Sequence, residues 1–372
     1  MLLYIKKRII IPFMKSKLNK NKMDDTNQIL TSSTALGNDV MLFATFNQDN
    51  TCFAIGTEKG FRIYNAYPFK DSFQRNLDGG IGIIEMLNRC NVLALVGGGK
   101  NPKYAPNKVI LWDDAQAKVI SELRFTSYVK NIKLKRDKIF VISENKIYVF
   151  NFVSFDNIDT LDTYENKKGI IAISQETSNC IIAYPDVEKG SVKVKNYINE
   201  ATFTIKAHQS EIGCLAMNKD GSLLATASEK GTVIRIYKTG DSSLLQELRR
   251  GAEKAEIYTI AFDPNNKYLA CSSDRGTVHI FHIKSERGGD SGKNQKSMFG
   301  KITGFLNIKN EYLDSEWSFA QFKIPTIKSI CAFGPDDSII VISSDGKYYQ
   351  AKFDPKAGGE CQKLQEKEIF TK

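Results

Sequence analysis

The sequence has few of the side chains that catalysis and metal binding require. Its 372 residues include only three histidines and no cysteine pair at the CxxC spacing of a metal or redox site. It also lacks the HExxH pattern of zinc hydrolases and the G-x-S-x-G turn of serine hydrolases. The glycine-rich segment 97–101 contains Lys100, but no Ser or Thr follows it, so it fails the P-loop test. These absences argue against an enzyme and against a metal or other cofactor.

Long apolar runs are absent as well. No stretch reaches the roughly 20 residues that a membrane-spanning helix requires. The seven cysteines occur singly, most of them within apolar runs. This pattern predicts buried, reduced thiols of a cytosolic protein and no disulfide framework.

Acidic residues are missing from the first 22 positions, which carry seven of the positive charges. The formal net charge is +10, so the rest of the chain carries only +3. Lysines outnumber arginines 41 to 11, whereas binding in a nucleic-acid groove favours arginine. We therefore expect no nucleic-acid partner. Residues 1–39 are expected to form a basic, disordered extension. For the acid-free residues 1–22, the alternatives are a transit peptide, a surface anchor or an extension upstream of a start at Met23.

Short alternating strands recur along the remainder of the chain. Seven similar strands each end near an aromatic residue, and these residues are Tyr64, Trp112, Phe150, Tyr197, Tyr237, Phe281 and Tyr349. Their spacings are 48, 38, 47, 40, 44 and 68 residues, and all but the last bracket the repeat of a four-stranded propeller blade. Helical periodicity is nearly absent. The sequence therefore predicts an all-β, seven-bladed β-propeller of the WD-repeat type, although only one Trp-Asp dipeptide occurs, at Trp112-Asp113.

Turn signals divide each repeat into strands. Asp220-Gly221 predicts a hairpin, for which a type I′ turn is favourable. The last interval is too long by about 24 residues, which indicates a functional or disordered insertion. We expect the propeller to span 40–357, with an insertion at 285–316 in the sixth blade and a C-terminal tail at 358–372.

Two adjacent arginines, Arg249 and Arg250, occur in the segment Leu248–Gly251. Successive side chains of a strand point to opposite faces, so these two serve two different pockets. Hydroxyl and imidazole side chains lie in the repeats on both sides of the pair, a mixture suited to a phosphorylated head group. The alternative is that the same hydroxyls and histidines only form the hydrogen-bond networks within WD repeats.

These segments resemble the PROPPIN family of seven-bladed propellers that bind polyphosphoinositides. The Leu-Arg-Arg-Gly segment resembles the family's F/L-R-R-G motif. Further segments that resemble the family occur in the same order along the chain, at 46–65, 85–114, 225–237, 272–281 and 315–322. The resemblance covers residues 40–357, and the leucine of the motif together with the GGGKNPKY segment is closer to the shorter WIPI branch.

The resemblance implies two binding sites for phosphatidylinositol 3-phosphate and phosphatidylinositol 3,5-bisphosphate. Site one would consist of His208, Thr226, Ser228, Thr232, Arg235 and Arg249. Site two would consist of Arg250, Ser272, Ser273, Thr277 and His279.

The insertion contains apolar residues at helical spacing, flanked by lysines, which suits a segment lying in a membrane interface. These are Met298, Phe299, Ile302, Phe305 and Leu306. The family's corresponding loop inserts into bilayers, so the resemblance implies membrane insertion here. A loop with sporadic apolar residues is the alternative.

The resemblance implies a monomeric, cytoplasmic protein that binds peripherally to preautophagosomal, endosomal or vacuolar membranes, or to a plastid membrane. It would act in autophagosome formation or membrane traffic by recruiting partners, among them a lipid-transfer protein of autophagy. Asn47 and Asp49 are the expected partner-binding residues. The rival hypothesis is a WD-repeat scaffold that binds proteins and no lipid.

Overall fold

The computed structural model describes residues 8–9, 39–284, 294–296, 316–325 and 328–370. All regular elements in these ranges are β-strands. Among the same residues there is no helix of the length and apolarity needed to cross a membrane. The chain divides into two compact units, residues 1–170 with 370–372 and residues 171–369.

The first unit contains three antiparallel sheets of four strands each. The first sheet has the strands β2 (Met41–Phe46), β3 (Cys52–Thr57), β4 (Gly60–Asn65) and β5 (Lys70–Asn76). The second has β6 (Ile81–Met86), β7 (Val92–Gly97), β8 (Lys108–Asp113) and β9 (Lys118–Arg124), and β1 (Arg8–Ile9) pairs in parallel with β9. The third has β10 (Asn131–Leu134), β11 (Lys138–Ile142), β12 (Lys146–Asn151) and β13 (Asn157–Asp162).

The second unit contains four sheets. The fourth sheet has the strands β14 (Ala172–Ile173), β15 (Ile181–Pro185), β16 (Ser191–Asn196) and β17 (Thr202–Lys206). The fifth has β18 (Ile212–Met217), β19 (Leu223–Ser228), β20 (Val233–Lys238) and β21 (Leu244–Arg249). The sixth has β22 (Ile257–Phe262), β23 (Tyr268–Ser273), β24 (Thr277–His282) and β27 (Ala320–Lys323). The seventh has β28 (Ser329–Phe333), β29 (Ser338–Ser343), β30 (Lys347–Lys352) and β32 (Gln362–Glu368).

Three two-residue strands extend two of these sheets. β25 (Gln295–Lys296) and β26 (Glu316–Trp317) add to the outer edge of the fifth sheet, and β31 (Gly359–Glu360) adds to the sixth. The long segment between β24 and β27 lies between the third and fourth strands of the sixth sheet.

Seven successive four-stranded sheets confirm the predicted fold class, an all-β seven-bladed propeller. The seven strands recognised in the sequence are the third strands of the sheets, not the last ones. Inner strands are buried on both faces and are therefore rich in apolar and β-branched residues. The fourth strands β5 and β32 are largely exposed, so their polar sequences give little signal.

Apolar side chains of neighbouring sheets form the core within each unit. In the first unit, one cluster joins Ala54, Leu95 and Val141 from the three sheets. In the second unit, one cluster joins the fifth and sixth sheets and another joins the sixth and seventh. None of the seven cysteines, all of which lie in the described ranges, forms a disulfide; five are buried as expected, whereas Cys90 is exposed and Cys214 is half-buried.

The hairpin predicted at Asp220-Gly221 connects β18 to β19, but its turn differs from type I′. Gly221 has φ +80°, whereas Asp220 is not among the residues with positive φ. The N–H of Gly221 donates to the carbonyl of Asn218, and the Asp220 side chain accepts the N–H of Ser222. The glycine is therefore the residue that the left-handed position requires.

The propeller extends beyond the boundary predicted at residue 357. β32 pairs along its whole length with β30, and Ile369 behind it is buried. The sequence suggests a tail here because β32 reads QKLQEKE, which has no apolar alternation. An outer strand gains its stability from backbone pairing with its neighbour and needs no apolar face of its own.

Candidate functional site

The middle strands of the fifth sheet bring the predicted site-one side chains to one face. Thr226 lies opposite Arg235, and Arg235 lies opposite Glu247. Directly paired residues share a face, and so do residues two apart on one strand. Ser228 and Arg249, two residues beyond Thr226 and Glu247 respectively, therefore lie on that same face. Ser228 and Arg249 are both buried, although they are polar.

A hydrogen-bond network fixes the deeper part of this face. His208 Nε2 lies 2.9 Å from Thr226 Oγ1. Arg235 donates from Nη1 to the carbonyl of Ala207 (2.7 Å) and forms an ion pair from Nε to Glu247 Oε2 (2.8 Å). Arg249 therefore shares this face with a second arginine, Arg235, and with the carboxylate that pairs with it, Glu247. Arg235 acts mainly by holding the shape of the site.

The turn before β20 carries Thr232, another residue predicted for site one. The carbonyl of Ser228 accepts the N–H of Gly231, which has φ +58°. The carbonyl of Thr232 accepts the N–H of Arg250 at 2.9 Å. A side chain at position 231 would meet the carbonyl oxygen of Ala255 at 1.8 Å, so only glycine fits. The turn therefore lies directly against the backbone of the arginine pair.

Arg250 is buried like Arg249, with about 5% of its surface exposed. Its Nε donates to the carbonyl of Gly231 (2.9 Å), and its Nη2 donates to the carbonyl of Glu253. Burial lowers the pKa of Arg250, but a guanidinium keeps its charge at neutral pH. Neither carbonyl neutralises that charge, which is an arrangement suited to an anionic ligand.

The sixth sheet presents three of the predicted site-two residues on one face. His279 lies opposite Cys271, so Ser273 and Thr277, each two residues from one of these along its strand, lie on the face of His279. Burial and then the positive charge of Arg250 lower the pKa of His279, which indicates that the imidazole and the guanidinium are close. Ser273, Thr277 and His279 therefore share one face of the sixth sheet, and Arg250 is close enough for its charge to act on His279.

Ser272 is separated from this set. As a neighbour of Ser273 it points to the opposite face of the strand, where its hydroxyl donates to the carbonyl of Ser329 at 2.7 Å. The side chain is fully buried. Ser272 therefore joins the sixth sheet to the seventh and does not face Arg250.

Two residues near the sites are missing from the sequence-based set. Glu247 neutralises Arg235, and its position two residues before Arg249 is a usable signal for a shared face. Ser318 lies with its Oγ 3.2 Å from His279 Nδ1 and accepts a hydrogen bond from Gln321. Ser318 follows the long insertion, so no spacing rule connects it to His279.

Both histidines are held in the neutral form. Burial, followed by the nearby charge of Arg235, lowers the pKa of His208 to about 4, and the pKa of His279 is also lowered to about 4. The unfolded chain therefore binds more protons than the folded chain between about pH 4 and the ordinary histidine pKa of about 6.5. Above this window the histidines are neutral in both states. The free energy of unfolding therefore decreases as the pH falls through the window.

We expect the free energy of unfolding to fall between pH 7 and pH 5 by about 1 to 2 kcal/mol per histidine. Urea denaturation at the two pH values measures this difference. The His208→Asn, His279→Asn double variant controls for other titrating groups and should show a smaller pH effect. An equal pH effect in both proteins would contradict the expectation.

The predicted partner-binding residues lie in the turn between β2 and β3. Asn47 is buried, and its side chain accepts the N–H of Cys52 and donates to Thr51 and to the carbonyl of Asn88. Asp49 is exposed, and its carboxylate accepts two hydrogen bonds from Thr51. Asn47 therefore shapes the turn, and Asp49 is the one of the two that a partner can reach.

The glycine-rich segment lies at the end of β7. The N–H of Lys100 donates to Glu58 Oε2 at 3.0 Å, and a side chain at Gly99 would collide with the same carboxylate. The segment is therefore fastened to the first sheet.

The predicted membrane-contacting residues from Met298 to Leu306 lie outside the described residues. Within the described ranges, no group of three or more His, Cys, Asp or Glu side chains is arranged to hold a metal ion.

Comparison with known proteins identifies the family. The family model described as PROPPIN matches residues 40–370. Autophagy-related protein 18e of Arabidopsis thaliana is 37% identical over 335 residues, which cover 89% of this chain and 88% of the relative. Autophagy-related protein 18 of Dictyostelium discoideum is 32% identical, with coverage of 88% and 93% respectively.

Solved structures agree with the fold. Hsv2 of Kluyveromyces lactis superposes with a TM-score of 0.73 at 24% identity, covering 89% of this chain and 100% of that one. KlAtg21, solved in complex with the coiled coil of AgAtg16, gives a TM-score of 0.73 at 25% identity with the same coverage. The family consists of autophagy-related, phosphoinositide-binding propellers that are not enzymes. Since the family model and both relatives span nearly all of the propeller, the chain belongs to the PROPPIN family.

Proposed function

We propose that this chain is a peripheral membrane protein that binds phosphatidylinositol 3-phosphate and phosphatidylinositol 3,5-bisphosphate. The observation that carries the proposal is the pair of adjacent buried arginines, Arg249 at the end of β21 and Arg250 directly after it. Arg249 shares its face with the hydroxyls of Thr226 and Ser228, and Arg250 approaches His279. Buried guanidiniums beside hydroxyl and imidazole donors suit a ligand with several anionic oxygens.

Two weak sites on one rigid scaffold explain how such a protein holds a membrane. Each head group alone contributes a modest affinity, and simultaneous binding raises the effective affinity through avidity. We propose that Met298, Phe299, Ile302, Phe305 and Leu306 add contact with the bilayer. Apolar side chains in a membrane interface contribute through burial of apolar surface.

We further propose that the bound protein recruits partners in autophagosome formation or in endosomal or vacuolar traffic. A lipid-transfer protein of autophagy is the proposed partner, with Asp49 at the contact surface. The structure of KlAtg21 with a coiled coil supports protein recruitment by this fold. A monomeric cytoplasmic protein that moves to preautophagosomal, endosomal, vacuolar or plastid membranes fits this role.

Vesicle flotation tests the lipid-binding proposal against the scaffold alternative. Phosphatidylcholine vesicles are prepared alone, with phosphatidylinositol, with phosphatidylinositol 3-phosphate and with phosphatidylinositol 3,5-bisphosphate. We expect flotation only with the two phosphorylated lipids. Equal flotation with all four preparations, or no flotation with any of them, would favour a scaffold that does not bind phosphoinositides selectively.

A further inference from the structure

The two ends of the long insertion are fastened to the strand that carries Arg249. β26 pairs in parallel with β21, with Glu316 opposite Leu248 and Trp317 opposite Arg249. β25 in turn pairs antiparallel with β26. An insertion that belongs to the sixth sheet by sequence is thus joined by backbone pairing to the edge of the fifth sheet.

A set of hydrogen-bonded side chains strengthens this junction. We call it the stem network, and it consists of Gln246, Lys284, Asn294 and Glu316. Gln246 Nε2 donates to Glu316 Oε2 at 2.7 Å, and Gln246 Oε1 accepts the N–H of Lys284 at 3.0 Å. Asn294 Nδ2 donates to the same Glu316 oxygen at 2.8 Å. Gln246 is on β21, three residues before Arg249, and the other three belong to the insertion stems.

The charges and hydrogen bonds of the stem network are matched. Lys284 Nζ lies 2.6 Å from Glu316 Oε1, so the carboxylate has a cation on one oxygen and two amide donors on the other. Burial alone would raise the pKa of Glu316, but the hydrogen bonds from Asn294, Lys284 and Gln246 outweigh it and lower the pKa. Asn294 also bonds to both backbone groups of His282. A buried network with satisfied donors and acceptors specifies one geometry.

We infer that the stem network is a positioning device for membrane binding, an inference that rests on the proposed function. It fixes where the insertion leaves the fifth sheet relative to Arg249. The two attachments to the membrane are the head-group sites and the insertion. When their separation is fixed, binding of one gives the other a higher effective concentration at the surface than when the two move independently. The side chains of Gln246 and Glu316 bond within the network, so we assign them as positioning residues.

The test compares two probes for each variant. One probe is phosphatidylcholine vesicles containing phosphatidylinositol 3-phosphate, which measure head-group binding and membrane contact together. The other is soluble inositol 1,3-bisphosphate, studied by calorimetry, which measures the head-group sites alone. For Glu316→Gln we expect vesicle affinity to fall about tenfold, with head-group affinity changed by less than about twofold.

Glu366→Gln is the matched control, because Glu366 is likewise a lysine-paired glutamate, on β32 of the seventh sheet, and its partners are Lys347 and Lys363. It should leave both affinities unchanged. If Glu316→Gln does not fold, Lys284→Met decides, since half-exposed Lys284 can be replaced while the bonds between Gln246, Asn294 and Glu316 remain. We expect the same selective loss, of smaller size.

Three outcomes overturn the inference, and they are distinguishable. Unchanged vesicle affinity shows that the stem geometry does not matter for membrane binding. Equal losses with both probes show a general structural role of Glu316. A wild-type protein that binds neither probe overturns the proposed function, and this role of the network with it.

Discussion

Replacing Arg249 and Arg250 together by threonine is expected to abolish binding to vesicles containing phosphatidylinositol 3-phosphate. A hydrogen bond to a charged group contributes about 1.5 to 3 kcal/mol, and the double variant removes the buried cation from both sites. A loss of about 3 to 6 kcal/mol corresponds to at least a hundredfold weaker binding. Flotation and calorimetry with inositol 1,3-bisphosphate measure the two parts of this loss.

The double variant should still fold. Threonine is favourable in strands, and removal of two buried charges also removes their desolvation cost. The replacement of Arg250 removes its hydrogen bonds to the carbonyls of Gly231 and Glu253. A cooperative thermal transition and an unchanged far-ultraviolet circular dichroism spectrum check this point.

A charge-matched control separates specific binding from general attraction to an anionic surface. The Arg124→Thr, Arg136→Thr double variant also removes two positive charges, but from exposed positions in the second and third sheets. Each basic residue near an anionic leaflet contributes about 1 kcal/mol, so the control pair should weaken vesicle binding slightly and leave head-group affinity unchanged. Equal losses in the two double variants would contradict specific sites at Arg249 and Arg250.

The number of blades is predictable from the sequence because the third strand of each sheet has a strong pattern. Segments such as Gly60–Asn65 and Thr277–His282 are buried on both faces and therefore repeat apolar residues that the eye can align. Outer strands such as Gln362–Glu368 are held by pairing with a neighbour, which leaves no side-chain pattern. For this reason the C-terminal boundary falls short by one strand.

Alternation along strands distinguishes the two faces of a sheet, which motif matching does not do. It predicts different faces for Arg249 and Arg250, and applied to the sixth sheet it separates Ser272 from Ser273. The resemblance places both serines in one site because it works position by position and does not distinguish faces. The bond from Ser272 to Ser329 shows where that side chain is used instead.

Long-range contacts are the part that sequence reasoning cannot reach. His279 meets Ser318 across a separation of 39 residues, and Gln246 meets Glu316 across 70. Both contacts depend on the insertion stems returning to the sheet edges, and no local pattern records that return. The burial of Asn47 has a similar origin, because it depends on a turn of the second sheet, at Asn88.

Single replacements of the two arginines are expected to remove one site each. Arg249 lies on the face of Thr226 and Arg235, whereas Arg250 approaches His279 from the other side of the strand. Calorimetry with inositol 1,3-bisphosphate should therefore give a stoichiometry of two for the wild type and one for either Arg249→Thr or Arg250→Thr. Vesicle affinity should fall by about tenfold or more in each, because avidity is lost along with one site.

The histidines provide an independent assignment of each remaining site. If the faces are separate, adding His208→Ala to the Arg250→Thr variant, where only site one remains, weakens head-group binding further. Adding it to the Arg249→Thr variant has little effect. His279→Ala should show the opposite dependence. Loss of all head-group binding in one single-arginine variant, with none lost in the other, would contradict two sites. In that case one arginine binds the ligand, and the other is buried for a structural reason, such as the bonds of Arg250 to the carbonyls of Gly231 and Glu253.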